Sequence, residues 1–311
     1  MRQRRKRQSL SALAWVLVFA TSLVSQAAEQ TIEQKDVVME NGDSYVGEML
    51  NGFRHGQGVY TWKDGRGYQG QFVSGKRAGS GALNWPNGNS YNGTFSDNLM
   101  HGTGIFTWAN QDRYEGAFIE GKRTGKGIYI WKLGDSYEGE FLNGQLQGRG
   151  TFSWADGRVY RGGFIAGLKS GTGHYEWPNN NRYDGVFEDD ERHGPGVYFW
   201  RDGTVYHGHF AHNRTHGYGV KVSPDGLSEF QSWEDGKLLA SRNIHKNPRC
   251  TLVIEELPWM FESEECINGL AHGSGPAISL DGSRYLAQAS IILGKLVNGK
   301  VELFAQATSK K

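Results

Sequence analysis

Residues 114–136 read YEGAFIEGKRTGKGIYIWKLGDS. Alternate residues of an extended chain face opposite sides, so Tyr114, Gly116 and Phe118 share one face while Glu115 and Ala117 take the other. Gly127, Tyr129 and Trp131 share a face in the same way. Between the two runs, Gly121 and Gly125 supply the positive backbone angles that a hairpin connection needs. The stretch predicts a β-hairpin with large rings on one side and glycines over which neighbouring rings pack. One such unit cannot bury its aromatic layer alone.

The pattern recurs every 23 residues without an insertion, led by Tyr45, Tyr68, Tyr91, Tyr114, Tyr137, Tyr160, Tyr183 and Tyr206. Met49 and then seven phenylalanines, Phe72 to Phe210, follow four residues behind, and a Gly-x-Gly pair comes next, from Gly56 and Gly58 to Gly217 and Gly219. Trp62, Trp85, Trp108, Trp131, Trp154, Trp177 and Trp200 close seven units, and Ser223 replaces the ring in the eighth. Eight stacked hairpins predict an all-β, elongated open antiparallel sheet, roughly 75 Å long at about 4.8 Å per strand. Composition agrees: 45 of 311 residues are Gly and 13% are aromatic, enough buriable surface to exclude a disordered chain.

The Tyr-x-Gly-x-Phe, Gly-x-Gly, Trp pattern over residues 45–228 resembles the MORN (membrane occupation and recognition nexus) repeat. The resemblance implies a sheet of hairpins that serves as a protein-interaction, scaffold or lipid-associated module without catalysis in the repeats.

Around the array, residues 28–44 predict an amino-terminal half unit, with Val37, Met39, Gly42 and Ser44 at second-strand slots. Residues 229–249 predict a divergent ninth unit, with Trp233 and Gly236 in register, and a linker. Residues 250–311 predict degenerate repeat material closing the sheet edge, with Cys266 in a Phe slot and Tyr285 in a leading Tyr slot. Residues 1–27 are set apart: Arg2, Arg4, Arg5, Lys6 and Arg7 precede an apolar run, and Ser25 and Ala27 suit cleavage after Ala27. The chain is expected to be exported, periplasmic or secreted, or else held by this segment as an uncleaved membrane anchor. Without that segment, 29 Lys and Arg face 33 Asp and Glu, a net charge of −4, which argues against nucleic acid as a partner and weakens anionic lipid.

Chemistry-bearing patterns are sparse. Gly70–Lys76 and Gly116–Lys122 match Gly-x4-Gly-Lys but continue with Arg and span a strand and turn, unlike a phosphate-binding loop. Gly-x-Ser-x-Gly, His-Glu-x-x-His and spaced Cys pairs are absent. His207, His209, His212 and His216 could share a zinc or copper ion or form an exposed polar face. Cys250 and Cys266 suit a disulfide in an exported chain or two buried thiols. Glu115, Glu138, Glu140 and Asp184 fall at outward slots and read as a solvated face. No cofactor and no enzyme activity are expected.

The function expected is a binding scaffold of the cell envelope or extracellular space, with a protein partner in an aromatic trough. The residues expected to reach that trough are Tyr60, Tyr91, Phe106, Tyr114, Tyr129, Tyr137, Phe152, Tyr160, Tyr175 and Tyr198, while the Phe and Trp slots are assigned to core packing. The alternative is a reader of envelope glycans or lipid headgroups through the same rings.

Overall fold

The computed structural model describes residues 31–244, 251–261, 266–268, 270–279 and 284–303, and every regular element in them is a β-strand. A 19-stranded antiparallel sheet runs from Ile32–Val38 to Lys237–Ile244, each strand pairing with its neighbours in sequence. Eight of its hairpins are the 23-residue units. Ahead of them, Ile32–Val38 pairs with Ser44–Leu50; behind them, Ser228–Glu234 pairs with Lys237–Ile244.

Each glycine of the repeat has a separate duty. In the hairpin of Arg113–Ile119 and Lys122–Ile130, Glu120 and Gly121 form the two-residue turn with φ of 49° and 80°, as the right-handed strand twist prefers. The pairing then slips: Phe118 lies opposite Arg123 but Gly116 opposite Gly127, leaving a bulge that Gly125 occupies at φ 58°. Gly125 therefore serves the bulge rather than the turn. Gly127 needs no special angle; it is small because the Tyr114 ring lies over it, and a Cβ there would sit 2.5 Å from Cε2 of that ring.

The core is this tyrosine row. Tyr114 is 0% exposed, its hydroxyl donates to the Ala117 carbonyl at 3.0 Å, and its ring meets Phe118 and Phe141 edge-on at 5.2 and 5.0 Å. Each Phe is thus gripped by the Tyr of its own unit and of the unit before, so burial is shared between neighbours along the array. Trp233 takes the Phe position of the ninth hairpin, 6.3 Å from Tyr206.

The carboxy-terminal strands do not prolong the ladder. Six of them form one sheet with a core of Leu252, Trp259, Ala277, Leu286 and Ile291, among others, and Cys266–Ile267 and Leu270–Ala271 pair separately. Tyr285 and Ile278 pack on Val220, so this sheet lies against the face opposite the rings, and the Tyr285 hydroxyl meets His209 Nε2 at 2.6 Å. Among the described residues Lys237–Ile244 pairs only with Ser228–Glu234. The described carboxy-terminal strands thus cover the back of the eighth unit, and too few glycines and rings survive beyond Trp233 to propagate the repeat. Residues 1–27 and Cys250 lie outside the described residues, and of Cys266 only the backbone, in the strand Cys266–Ile267, is described; the cysteine pairing lies outside them too.

Candidate functional site

The Phe slots, Phe72 to Phe210, are buried as assigned, but the Tyr and Trp slots depart from the expected division. Tyr91, Tyr114, Tyr137 and Tyr160 do not reach a trough: they are 1%, 0%, 0% and 0% exposed, because paired glycines let each ring lie flat on the backbone within reach of a carbonyl. Burial pushes the Tyr91, Tyr114 and Tyr137 hydroxyls up to about 12. The Trp rings assigned to the core stand over this layer instead; Trp62 to Trp177 are half-buried and Trp200 is exposed. Of the rings two before Trp, Tyr60, Tyr129 and Tyr175 are nearly covered, while Phe106, Phe152 and Tyr198 remain half-buried.

Together these two rows form a ladder. From Trp85 through Phe106, Trp108, Tyr129, Trp131, Phe152, Trp154, Tyr175, Trp177 and Tyr198 to Trp200, successive ring centres are between 4.4 and 5.5 Å apart. Leu83 interrupts it, separating the Tyr60–Trp62 pair at the amino-terminal end.

Arginines line the ladder, a feature not singled out from the sequence although its signal is there: one slot holds Arg54, Arg77, Arg123 and Arg192, with Met100, Leu146, Lys169 and Thr215 in the other units. The Arg123 guanidinium lies 5.4 Å from Trp108 and 5.0 Å from Tyr129, and Arg192 lies 5.7 Å from Trp177 and 5.6 Å from Tyr198. Each of the four donates one N–H to a backbone carbonyl in the next unit's turn, and none forms an ion pair among the described residues. Arg54 Nε is buried without a hydrogen-bond partner, and burial lowers the Arg77 and Arg192 pKa values. A cation half removed from water with no carboxylate beside it favours an incoming anion.

The rim of the ladder is pinned between units. Asp112 accepts from the Lys132 backbone N–H at 2.9 Å and from the Tyr129 hydroxyl at 3.0 Å; the Lys132 bond holds its carboxyl below the usual range, while burial and that carboxylate push Tyr129 up to about 12. Asp43 binds Tyr60 and Lys63 alike.

The back face mixes carboxylates with exposed aliphatic side chains such as Val59, Ile119 and Ile128. Glu115, Glu138 and Glu140 are exposed there, Glu115 paired with Arg113 at 2.5 Å. Asp184 departs from the expected solvated row: it is 5% exposed and contacts His174 and Arg182, and His174 also meets Glu176 at 2.8 Å. Asp184 foremost raises the His174 pKa. His209 and His216 face each other across the eighth hairpin, but His212 turns to Glu191 at 2.9 Å and His216 to Asp235 at 3.4 Å. The four histidines are not gathered: among the described residues no three His, Cys, Asp or Glu side chains cluster as a metal would need. Gly116–Lys122 and Gly70–Lys76 cross a strand end and its turn, with no helix to receive a phosphate. No helix among the described residues is long and apolar enough to cross a membrane.

Comparison with solved structures finds likeness to the TCP domain of Drosophila melanogaster SAS-4 in complex with a proline-rich motif of Ana2, at 12% identity over 73% of this chain and 99% of that one, with a TM-score of 0.27. The wild-type TCP10 domain of Danio rerio CPAP is similar at 15% identity over 68% of this chain and 100% of that one, with a TM-score of 0.31. At these scores neither bears on the site. No curated protein matches the sequence. The MORN repeat family matches residues 45–65, 68–90, 91–113, 114–136, 137–157, 160–182, 183–205 and 206–228, the same hairpins that carry the ladder, and the chain belongs to that family.

Proposed function

We propose that the protein is a non-catalytic binding scaffold whose ring ladder docks a protein partner outside the cytoplasm. The observation that carries this reading is the unbroken run of rings from Trp85 to Trp200, most of them half-buried, with guanidiniums set among them that form no ion pair among the described residues. Trp, Tyr and Arg are the residue types that dominate binding energy at protein interfaces. Membership of a repeat family whose stacked units present long surfaces agrees with it. The export part of the proposal rests on the basic and apolar segment ending at Ala27.

The test is capture from envelope extract by immobilised full-length protein and by its Trp131→Leu, Trp154→Leu double variant. Stoichiometric protein bands retained by the wild type and lost with the double variant support the reading. Bands unaffected by the double variant place binding elsewhere, and bound material that survives protease treatment of the extract moves the weight to a glycan or lipid. Mass spectrometry of the chain recovered from separated cell fractions tests export: an amino terminus at Ala28 supports it, and an intact Met1 in the cytosolic fraction counts against it.

A further inference from the structure

This inference rests on the scaffold reading and concerns the shape of the partner. Each unit adds two strands, so equivalent side chains of successive units recur about every 9.6 Å. The two ring steps from Trp108 through Tyr129 to Trp131, 5.1 and 4.4 Å, agree with that advance. A ligand running along the array therefore meets the same rings at a fixed interval and binds best if its own side chains repeat at that interval.

The regular backbones can be compared on this measure. An α-helix rises about 5.4 Å per turn and a heptad spans about 10.5 Å, drifting nearly 3 Å out of step over three units. An extended strand presents same-side residues about 6.7 Å apart and falls out of step at once. A polyproline II helix repeats every three residues of about 3.1 Å, or about 9.3 Å, and stays within about 1 Å over three units.

The polar groups along the ladder fit that backbone as well. The indole N–H groups of Trp108, Trp131, Trp154 and Trp177 find no acceptor within the protein among the described residues. A polyproline II helix leaves all its carbonyls outward to accept from them, and its proline rings stack on aromatic faces at little entropic cost. Arg123 and Arg192 sit among the same rings without ion pairs among the described residues, so complementary charge on the ligand is negative.

We propose that the ladder binds an acidic, proline-rich segment of a partner protein in the polyproline II conformation, laid along the array with one helical turn per repeat.

The experiment is fluorescence anisotropy with the full-length protein and labelled peptides of sequence (Pro-Pro-Glu)n, n from two to six. Affinity is expected to rise with every added triplet up to six, since the ladder carries six Trp rungs from Trp85 to Trp200. A plateau beyond three triplets, about the length of one strand, would mean that the peptide crosses the sheet and would overturn the proposal. A peptide of the same composition as the six-triplet one, with its glutamates at irregular spacing, and (Pro-Pro-Lys)6 are each expected to bind at least about tenfold more weakly; equal binding by either would overturn it. Arg123→Met and Arg192→Met, each introducing the side chain that Met100 supplies in the equivalent slot, are expected to weaken (Pro-Pro-Glu)6 about five- to tenfold with an unchanged β-sheet circular dichroism spectrum. If no (Pro-Pro-Glu)n peptide binds while the Trp131→Leu, Trp154→Leu variant still loses a captured protein, the polyproline II inference falls and the scaffold reading stands.

Discussion

Arg123 donates through Nη2 to the carbonyl of Gly144 at 2.8 Å, joining one hairpin to the turn of the next. The same guanidinium lies over Tyr129 and against Phe141, so a single side chain spans two units on the ring face. Arg54 to Gly75, Arg77 to Asn98 and Arg192 to Asn213 repeat the link. Arg123→Met loses the charged hydrogen bond but keeps the packing stem, and is expected to destabilise the array by about 1–2 kcal/mol. That corresponds to a fall of a few degrees in the melting temperature, read by differential scanning calorimetry. An unchanged melting temperature would show that the link adds no stability.

The glycines beneath the tyrosines should tolerate no side chain. Gly127 has an ordinary backbone angle, yet a Cβ there would sit 2.5 Å from both Cε2 and the hydroxyl of Tyr114. Gly171 has φ of +70° but nothing within 4 Å. Gly127→Ala is therefore expected to cost about 2–3 kcal/mol from overpacking and Gly171→Ala about 1 kcal/mol from backbone strain alone. Urea denaturation of the two variants checks the order; a larger loss at Gly171 would contradict the packing argument.

Alkaline titration should report the buried row. Tyr68, Tyr91, Tyr114 and Tyr137 are pushed up to about 12 by burial, above the ordinary value near 10 that they regain on unfolding. Their folded pKa values are the higher ones, so the stability they contribute is complete below about pH 10 and is lost as pH rises through about 12. Tyrosinate absorbance at 295 nm should appear mainly together with loss of the β-sheet circular dichroism signal. Absorbance completing near pH 10 with the sheet intact would refute the burial account.

His174 offers a second pH probe, on the back face. Asp184, then Glu176, hold its proton and raise its pKa above the ordinary value. The folded pKa is again the higher, so the contact stabilises at pH below the ordinary histidine value and fades as pH rises past the folded one. His174→Gln should therefore lower the melting temperature more at pH 5.5 than at pH 8.5. In histidine-detected NMR, Asp184→Asn should lower the titration midpoint of His174; no change would remove Asp184 as the cause.

Much of this architecture was legible in the chain. Tyr45 to Tyr206 in strict register imply hairpins, their number and their antiparallel stacking, because strand periodicity and a constant repeat leave no freedom in pairing. The site was legible only in part. Tyr114 and Trp131 share a face, and alternation alone cannot say which of two rings on one face lies deeper. The tyrosines can lie deeper despite their polar hydroxyls because those are satisfied by local carbonyls such as that of Ala117. The Arg slot was visible as a recurrence at Arg54, Arg77, Arg123 and Arg192, yet its meaning lies in contacts to rings and turns up to 21 residues away.

By itself the sequence determined the repeat, the hairpin and the membership of the array, since these follow from local spacing over 23 residues. Tertiary structure decided which aromatic layer became core and which became surface, that the carboxy-terminal strands lie on the back of the eighth unit, and that Asp184 is covered. These depend on how adjacent units twist and pack, and a ring's depth is set by the neighbouring unit's glycines, Phe and Arg rather than by its own place in the chain.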